Sequence, residues 1–212
     1  ESGLYFYQFE AEGEWLPAVI RQGSDGCGTF FYDSPLFQLT VYDRDFSTPA
    51  FLKGGVMYQI FPDRFCKLGK PAEDIPRDRI LREDWGGTPR YLPDEEGVIK
   101  NNDYFGGNLR GIRSKLDYLQ SLGVTCLYLN PIFEAHSNHR YNTADYLQVD
   151  PVLGTEDDLK SLCEKAAEKG IRVMLDGVYS HTGSDSIYFN KNRAYDSVGA
   201  ANSPDSPYYQ WY

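Results

Sequence analysis

Three continuously apolar segments, with amphipathic segments between them, constrain the fold of this chain most strongly. The apolar segments are GVMYQIF at 55–61, VTCLYLNPI at 124–132 and IRVMLDGVY at 171–179. Their length is typical of strands, and they lack the strict alternation of a strand with one face in water. Such strands, separated by helices, predict parallel βαβ units in a sheet that is covered on both faces. We therefore predict the α/β class.

The two intervening segments carry signals for where each helix begins and ends. Asn108 can cap a first helix that ends at Gly123, and Thr155 can cap a second that ends at Gly170. In the second, TEDD places a carboxylate three residues after Thr155, which is the spacing of a capping box. Apolar residues recur at helical spacing, namely Leu109, Ile112, Leu116, Leu119 and Leu122, then Leu159, Leu162, Cys163, Ala166 and Ala167. Both segments are therefore predicted as helices that pack on the sheet.

The first 48 residues have a different pattern. GLYFYQFE at 3–10 and PLFQLTVYD at 35–43 are rich in strand-forming residues, and RQGSDGCG at 21–28 supplies turn residues. Because this piece is too small to bury both faces of its strands, we predict that 1–48 is the end of an all-β sandwich. A linker is expected at 49–55.

Three parallel strands make a very small sheet. The chain is then either an unusual complete protein or the first part of a barrel, and we expect 56–181 to hold three βα segments of such a barrel. Of the four cysteines, Cys126 lies in an apolar strand and Cys163 on the apolar face of a helix. We predict that both are reduced core residues.

The charge balance and hydropathy exclude several classes of partner. The chain has 31 acidic and 21 basic residues, a net charge of −10, which repels phosphate backbones and anionic membranes. No segment reaches the roughly 20 apolar residues of a membrane span. We therefore expect neither nucleic acid nor a membrane as partner. The 17 tyrosines instead suit a surface that binds a polar ligand with apolar faces.

Polar side chains follow each predicted strand at its carboxyl end. Asp63 and Arg64 follow the first strand, Asn130 lies at the end of the second, and Asp176 and His181 follow the third. In a barrel of parallel strands these ends form one mouth, so we expect the side chains to lie close together. Carboxylates and imidazoles hydrogen-bond hydroxyl groups, and tyrosine rings stack on sugar rings. The pattern therefore favours a carbohydrate ligand.

Other interpretations of the same residues stay open. Asp63 and Arg64 can form a neighbouring ion pair that only fixes a turn, and Tyr141 and Tyr146 can be core aromatics. A glucan-binding module without catalysis is a second class of function. A third is a metal-dependent hydrolase, although an HxxH spacing outside a helix is a weak metal signal. Its ligands would be His136, His139, Asp176 and His181.

Four motifs in order along the chain resemble the α-amylase family, the family 13 glycoside hydrolases. They are VMYQIFPDRF, DYFGGNLRGIRSKLDYLQSLGVTCLYLNPIF, SNHRYNTADYLQVDP and GIRVMLDGVYSHTG. The resemblance covers 54–212, and it is strongest to the neopullulanase, cyclomaltodextrinase and maltogenic amylase branch. It implies a (β/α)8 TIM barrel with a small domain inserted after the third strand, whose start would be 182–212. It also implies a starch-binding-like β-sandwich before the barrel.

The resemblance implies a role for individual residues. Asp176 matches the aspartate that supports the catalytic aspartate, and His181 matches the histidine that bonds the 6-hydroxyl of the glucose at the cleavage point. Tyr141 matches the tyrosine that stacks on that sugar. Asp63 and Arg64 match a scaffold motif that anchors a loop.

The same resemblance implies a retaining hydrolase of α-1,4 and also α-1,6 bonds in maltodextrins, cyclodextrins or pullulan. Its partners would be α-glucan oligosaccharides or polysaccharides, and the parent protein would form a homodimer. The family nucleophile and acid/base would lie after Tyr212, so we expect no catalytic carboxylate in 1–212 and no activity from this fragment alone.

Two departures from the family pattern concern calcium. Ser180 stands where many members have a calcium-binding Asn, and the loop CKLGKPAED at 66–74 lacks an Asn- and Asp-rich cluster. Because calcium takes about 6–8 oxygen ligands, these departures argue against it. We expect no metal and no cofactor.

Overall fold

A computed structural model describes residues 1–12, 18–30, 33–69, 75 and 79–212. The chain divides into two units, Glu1–Thr48 and Pro49–Tyr212. Among the described residues, no helix combines the length and apolar character needed to cross a membrane.

The first unit contains short strands: β1 (Gly3–Tyr7), β2 (Phe9–Ala11), β3 (Ala18–Gln22), β4 (Gly28–Thr29) and β5 (Phe37–Val41), with a 3-10 turn at Ser24–Gly26. β1 pairs antiparallel with β5, and β3 lies between β2 and β4 in an antiparallel sheet. Leu4 and Phe6 are more than half exposed, so this small unit leaves apolar surface uncovered. The β-rich pattern is confirmed for the described residues, and the sandwich stays a prediction.

The second unit is built on a parallel sheet. Its elements are β6 (Val56–Ile60), β7 (Ile80–Leu81), β8 (Asp103–Tyr104), α1 (Leu109–Ser114), α2 (Leu116–Ser121), β9 (Val124–Leu129), β10 (Phe133–Ala135), β11 (Thr143–Val149), α3 (Glu156–Glu168) and β12 (Arg172–Leu175). Single 3-10 turns lie at Ala50–Leu52, Pro62–Arg64 and Tyr209–Trp211. β12, β9 and β6 form the sheet in that order, with β9 in the centre. The predicted α/β class is confirmed.

The register of the central sheet aligns the carboxyl ends of its strands. Ile60 of β6 and Leu175 of β12 both pair with Leu129 of β9. The residues that follow these strands therefore leave the sheet side by side. Two small pairs flank it: β7 with β8 in parallel, and β10 with β11 as an antiparallel hairpin.

The first predicted helix is divided in two. The Asn108 side chain accepts a hydrogen bond from the Gly111 amide at 2.8 Å, as its capping position predicts. At Lys115 the backbone leaves the α conformation, with φ −102° and ψ 7°. Ser114 Oγ donates to the Gly111 carbonyl at 2.7 Å, a local bond that competes with the helical pattern. The expectation of one continuous helix was therefore wrong.

The second predicted helix, α3, has the capping box that its sequence indicates. Thr155 Oγ1 accepts from the Asp158 amide at 3.2 Å, and Asp158 Oδ2 accepts from the Thr155 amide at 3.1 Å. Leu162 and Ala166 are buried on its apolar face. Cys163 is exposed, which corrects its prediction as a core residue: it lies at the edge of the apolar stripe. Cys126 in β9 is fully buried, as predicted.

The Thr155 cap gives a stability prediction. We expect Thr155→Ala to lower the free energy of unfolding by about 1 kcal/mol, because it removes an acceptor for a helix N-terminal amide and half of the capping box. Thr155→Ser retains the hydroxyl and is the matched control, with a change of a few tenths of a kcal/mol. Urea unfolding of both variants followed by circular dichroism measures the difference. Equal losses in both would mean that the methyl group, and not the cap, matters.

The core lies between the central sheet and the three helices. Leu127 and Leu129 of β9 and Ile60 of β6 are fully buried against the helices. Residues from all three helices complete it, namely Leu109, Ile112, Leu116, Leu119, Leu162 and Ala166. Leu122 and Ala167 were expected on these faces, and both are exposed. This core fixes the strands whose ends carry the candidate site.

Candidate functional site

A row of hydrogen-bonded side chains crosses the carboxyl end of the central sheet. Gln59 Nε2 in β6 donates to Asn130 Oδ1, just after β9, at 2.9 Å. Asn130 Nδ2 donates to the Tyr141 hydroxyl at 3.1 Å. That hydroxyl donates to Asp176 Oδ2, just after β12, at 2.7 Å. The row therefore connects all three strand ends, and Tyr141 joins it from the loop between β10 and β11.

The side chain of His181 contacts the backbone of the same tyrosine. His181 Nε2 lies 2.9 Å from the Tyr141 carbonyl oxygen, and Nδ1 lies 3.1 Å from Ser180 Oγ. Because a carbonyl only accepts, Nε2 carries the proton, and Nδ1 is the acceptor for the Ser180 hydroxyl in the neutral ring. Tyr146 Oη donates to the His181 carbonyl at 2.8 Å. Tyr141, Asp176 and His181, predicted as site residues, are thus brought together.

The carboxylate of Asp176 raises the pKa of two neighbouring phenols. Its hydrogen bond with Tyr141, and then burial, raise the pKa of that phenol. The same carboxylate raises the pKa of Tyr128. Both phenols are protonated at neutral pH, as an unperturbed tyrosine already is. The Tyr141 ring stacks on the His139 ring at 5.9 Å between centroids, with 28° between planes, and it is 37% exposed.

A cavity of about 920 Å³ adjoins His181. Its wall is mostly aromatic, which suits the apolar faces of a sugar ring. Trp211 stacks on Tyr188 at 5.3 Å between ring centroids, and Tyr146 lies 5.6 Å from Tyr188. The rings that line the cavity are Tyr146, Tyr179, His181, Tyr188, Phe189, Tyr208, Trp211 and Tyr212. Tyr146 is half-buried and lies in this wall, so it is not enclosed in the core.

Asp63 has a structural role. It is fully buried, and its two oxygens accept the amides of Phe105 and Gly106, each at 3.0 Å. Burial raises the pKa of its carboxyl despite these bonds. Arg64 Nε lies 3.8 Å from Asp63 Oδ2 and is partly exposed. The interpretation of Asp63 as a loop anchor is confirmed, and its pairing with Arg64 is secondary.

The residues proposed for a metal hydrolase do not converge. His136 Nε2 pairs with Asp185 at 3.2 Å, whereas His139 Nδ1 accepts from the Tyr141 amide at 3.1 Å. In the part of the chain that the structure describes, no group of three or more His, Cys, Asp or Glu side chains is placed to hold a metal ion. Of the loop considered for calcium, residues 70–74 lie outside the described residues.

Two members of the site were missed from the sequence. Gln59 lies inside an apolar strand. A buried amide needs a hydrogen-bond partner, and this was the sequence signal that could have identified Gln59 as a site residue. Ser180 was noted only as a departure, and its hydroxyl lies 3.1 Å from Nδ1 of His181. Fold and site together define an α/β protein with a polar site at the ends of parallel strands.

Comparison with known proteins gives the family. The profile of the alpha-amylase catalytic domain matches residues 59–212, and the chain therefore belongs to the alpha-amylase family. The amylopullulanase of Thermoanaerobacterium saccharolyticum is 47% identical over 198 residues, which cover 83% of this chain and 15% of that protein. The cyclomaltodextrinase of Geobacillus thermopakistaniensis is 45% identical over 141 residues, which cover 65% of this chain and 21% of that protein.

A solved structure of a related enzyme has a similar fold. The type III pullulan hydrolase from Thermococcus kodakarensis superposes with a TM-score of 0.60 at 34% identity, over 92% of this chain and 34% of that one. The chain thus spans about a third or less of the length of these relatives.

Proposed function

We propose that these 212 residues are part of a retaining hydrolase of α-glucans. Its substrates are maltodextrins, cyclodextrins or pullulan, with cleavage of α-1,4 and also α-1,6 bonds. The observation that carries the proposal is the Tyr141–Asp176 hydrogen bond at the strand ends, with His181 bound to the Tyr141 carbonyl. The names of the relatives, which refer to pullulan and cyclomaltodextrin, support this substrate class.

Each of the three residues has a proposed task. The Tyr141 ring, with one face on His139, offers its other face to a glucose ring. His181 binds a hydroxyl of the same glucose. Asp176 holds the Tyr141 hydroxyl and, as a fixed negative charge, stabilises the positive charge that develops on the sugar in the transition state. The aromatic cavity beside His181 extends the site toward further glucose units.

The fold of the whole protein is part of the proposal. Residues 56–181 form the first three βα segments of a (β/α)8 barrel, 182–212 begin the inserted domain, and 1–48 end a β-sandwich. The retaining mechanism needs two carboxyl groups about 5–5.5 Å apart, and we place that pair beyond residue 212. The reaction uses side chains alone, without a cofactor, and the whole protein forms a homodimer.

Reducing-end release from maltodextrin and pullulan tests this function. We expect release by the whole protein and none by residues 1–212 alone, because the proposed nucleophile and acid/base are not in this segment. Release by 1–212 would move the catalytic carboxylates into it, with Asp176 as the first candidate.

His181→Ala in the whole protein tests the substrate contact. We expect kcat/KM to fall about 10- to 100-fold, which corresponds to a lost hydrogen bond of about 1.5–3 kcal/mol. His136→Ala is the matched control, because its imidazole pairs with Asp185, and it is expected to retain activity. An equal loss in both variants would instead favour the metal-dependent alternative.

A glucan-binding module without catalysis is the second candidate, favoured by the aromatic cavity. Titration calorimetry with maltoheptaose separates the two functions. Binding by a whole protein that releases no reducing ends would support the module.

A further inference from the structure

Buried charged side chains lie beneath the loop that carries Tyr141, and the proposed function does not use them. Arg140 and Asp150 are at most 1% exposed, and Arg79 is 6% exposed. Arg79 Nη1 donates to Asp150 Oδ1 at 2.9 Å. Arg140 Nε lies 3.0 Å from Asp150 Oδ2, at ion-pair distance. One carboxylate, at the end of β11, therefore holds two guanidinium groups; we call these three residues the buried triad.

Asp150 Oδ1 also accepts the Val152 amide at 2.9 Å, whereas further bonds of the two guanidinium groups go to the backbone that leads to Tyr141. Arg79 Nη2 donates to the Ala135 carbonyl at 2.5 Å, and Arg140 Nη1 donates to the Asn138 carbonyl at 2.9 Å. Both guanidinium groups also lie over the Tyr104 ring, at 5.7 and 5.4 Å from its centre. The Tyr104 hydroxyl donates to the His136 carbonyl at 2.9 Å. Three carbonyls in the segment before Tyr141 are thereby fixed.

The buried triad costs more free energy than is expected of residues that only stabilise the fold. Burial of charge costs several kcal/mol per ion before pairing, and apolar side chains of similar volume are often equally stabilising or better. Arg79 Nε and Arg140 Nη2 are buried and have no hydrogen-bond partner among the described residues, and Arg140 Nε and Asp150 Oδ2 interact with each other only as an ion pair. Each buried donor without a hydrogen bond adds about 1–3 kcal/mol of cost. A second role would explain why charge is placed here.

The backbone of Arg140 indicates that role. Its φ is +60°, in the left-handed region. This conformation costs a non-glycine residue about 1–3 kcal/mol and persists only where the surrounding structure imposes it. The next residue is Tyr141, whose hydroxyl reaches Asp176 and whose carbonyl meets His181. The turn at Arg140 thus sets the direction of the tyrosine that links both site residues.

We propose that Arg140, held by Asp150, is a positioning residue for Tyr141. The guanidinium fork fixes the left-handed turn, and this turn places the Tyr141 ring and hydroxyl for the reaction. The inference rests on the proposed function, since the reaction is where this placement has its effect.

Arg140→Met and Arg140→Lys in the whole protein test the proposal. We expect Arg140→Met to lower kcat on maltodextrin about 100-fold, the effect of a displacement near 1 Å, with KM changed less than about threefold. Arg140→Lys keeps the charge, and therefore the fold, and recovers only part of the loss because an ammonium lacks the planar fork. The matched control is Arg110→Met, which breaks a half-exposed pair with Asp158 at 2.7 Å and is expected to leave kcat unchanged.

A double variant separates positioning from stability. If Arg140 acts through Tyr141, the Arg140→Met/Tyr141→Ala enzyme should match Tyr141→Ala within about threefold in kcat. If Arg140 supplies stability alone, the two losses multiply, and that result would overturn the proposal.

Hydrogen exchange distinguishes failure of this inference from failure of the proposed function. We expect faster exchange in peptides covering 138–145 of both Arg140 variants, and unchanged exchange in α3. An inactive wild-type protein with this exchange pattern would refute the hydrolase function and leave the positioning intact. An active Arg140→Lys variant with wild-type kcat and exchange would refute the positioning.

Discussion

Asp176→Asn in the whole protein is expected to lower kcat on maltodextrin by about 1,000-fold or more, the scale of losing a preorganised electrostatic group. The carboxylate lies directly after β12 and accepts the Tyr141 hydroxyl at 2.7 Å. A retaining glycosidase develops positive charge on the sugar in its transition state. The amide of Asn has nearly the same shape but no charge, so it loses this stabilisation. It can still accept a hydrogen bond, and the geometry of Tyr141 is retained.

Tyr141→Phe is the control for this experiment. It keeps the ring and removes the hydroxyl, and one such hydrogen bond of about 1.4 kcal/mol corresponds to a roughly tenfold loss. The expected order is therefore a large loss for Asp176→Asn and a small one for Tyr141→Phe, at equal melting temperatures. A Tyr141→Phe loss larger than that of Asp176→Asn would show that the carboxylate serves only to hold the tyrosine.

The strands were predictable because burial on both faces leaves a continuous apolar run. The residues at which the strands end were harder to predict. The third apolar segment covers 171–179, whereas β12 ends at Leu175, just before the Asp176 that was expected to follow the strand, and its partner β9 ends opposite at Leu129. Pro131 follows in that partner, and it has no N–H to continue a sheet ladder. The end of a strand is thus set by its neighbour, which periodicity along one segment does not show.

The break between α1 and α2 escaped prediction for a related reason. Ile112 before the break and Leu116 after it are both buried, so the apolar spacing continues across Lys115. The side-chain bond from Ser114 to the Gly111 carbonyl marks the break instead. Such a local bond depends on the rotamer of a small polar residue, and the apolar pattern carries no trace of it.

Some members of the candidate site were predictable, whereas Gln59, Ser180 and the contacts between the side chains were not. Asp176 and His181 were placed by the ends of parallel strands, but Tyr141 reaches them from the β10–β11 hairpin, which the sequence did not predict. The burial of Arg79 and Arg140 was also missed, because long charged side chains are mostly exposed unless they are paired. Their partner Asp150 follows the second strand of that same hairpin.

Asp63→Ala is expected to have the largest effect on stability, a loss of about 2–5 kcal/mol in the free energy of unfolding, at about 1–3 kcal/mol for each buried amide left without an acceptor. The variant leaves the buried amides of Phe105 and Gly106 without their acceptor and removes a negative charge that acts on Arg140. Arg64→Met is the matched control. Its pair with Asp63 is 3.8 Å long and partly exposed, so we expect a loss below about 1 kcal/mol. Similar losses in both variants would restore the ion pair as the main role of Asp63.

The pH dependence of the same variant tests whether burial dominates the titration of Asp63. Burial raises the pKa of the Asp63 carboxyl in the folded chain. A carboxyl whose folded pKa lies above its unfolded value contributes stability that is fully present below the unfolded pKa and is lost as the pH rises through the folded pKa. The stability difference between wild type and Asp63→Ala, from urea unfolding, is therefore expected to be larger near about pH 4 than at about pH 7. If the amide hydrogen bonds and the positive charges outweighed burial, the pKa would be lowered, and the difference would instead shrink on acidification.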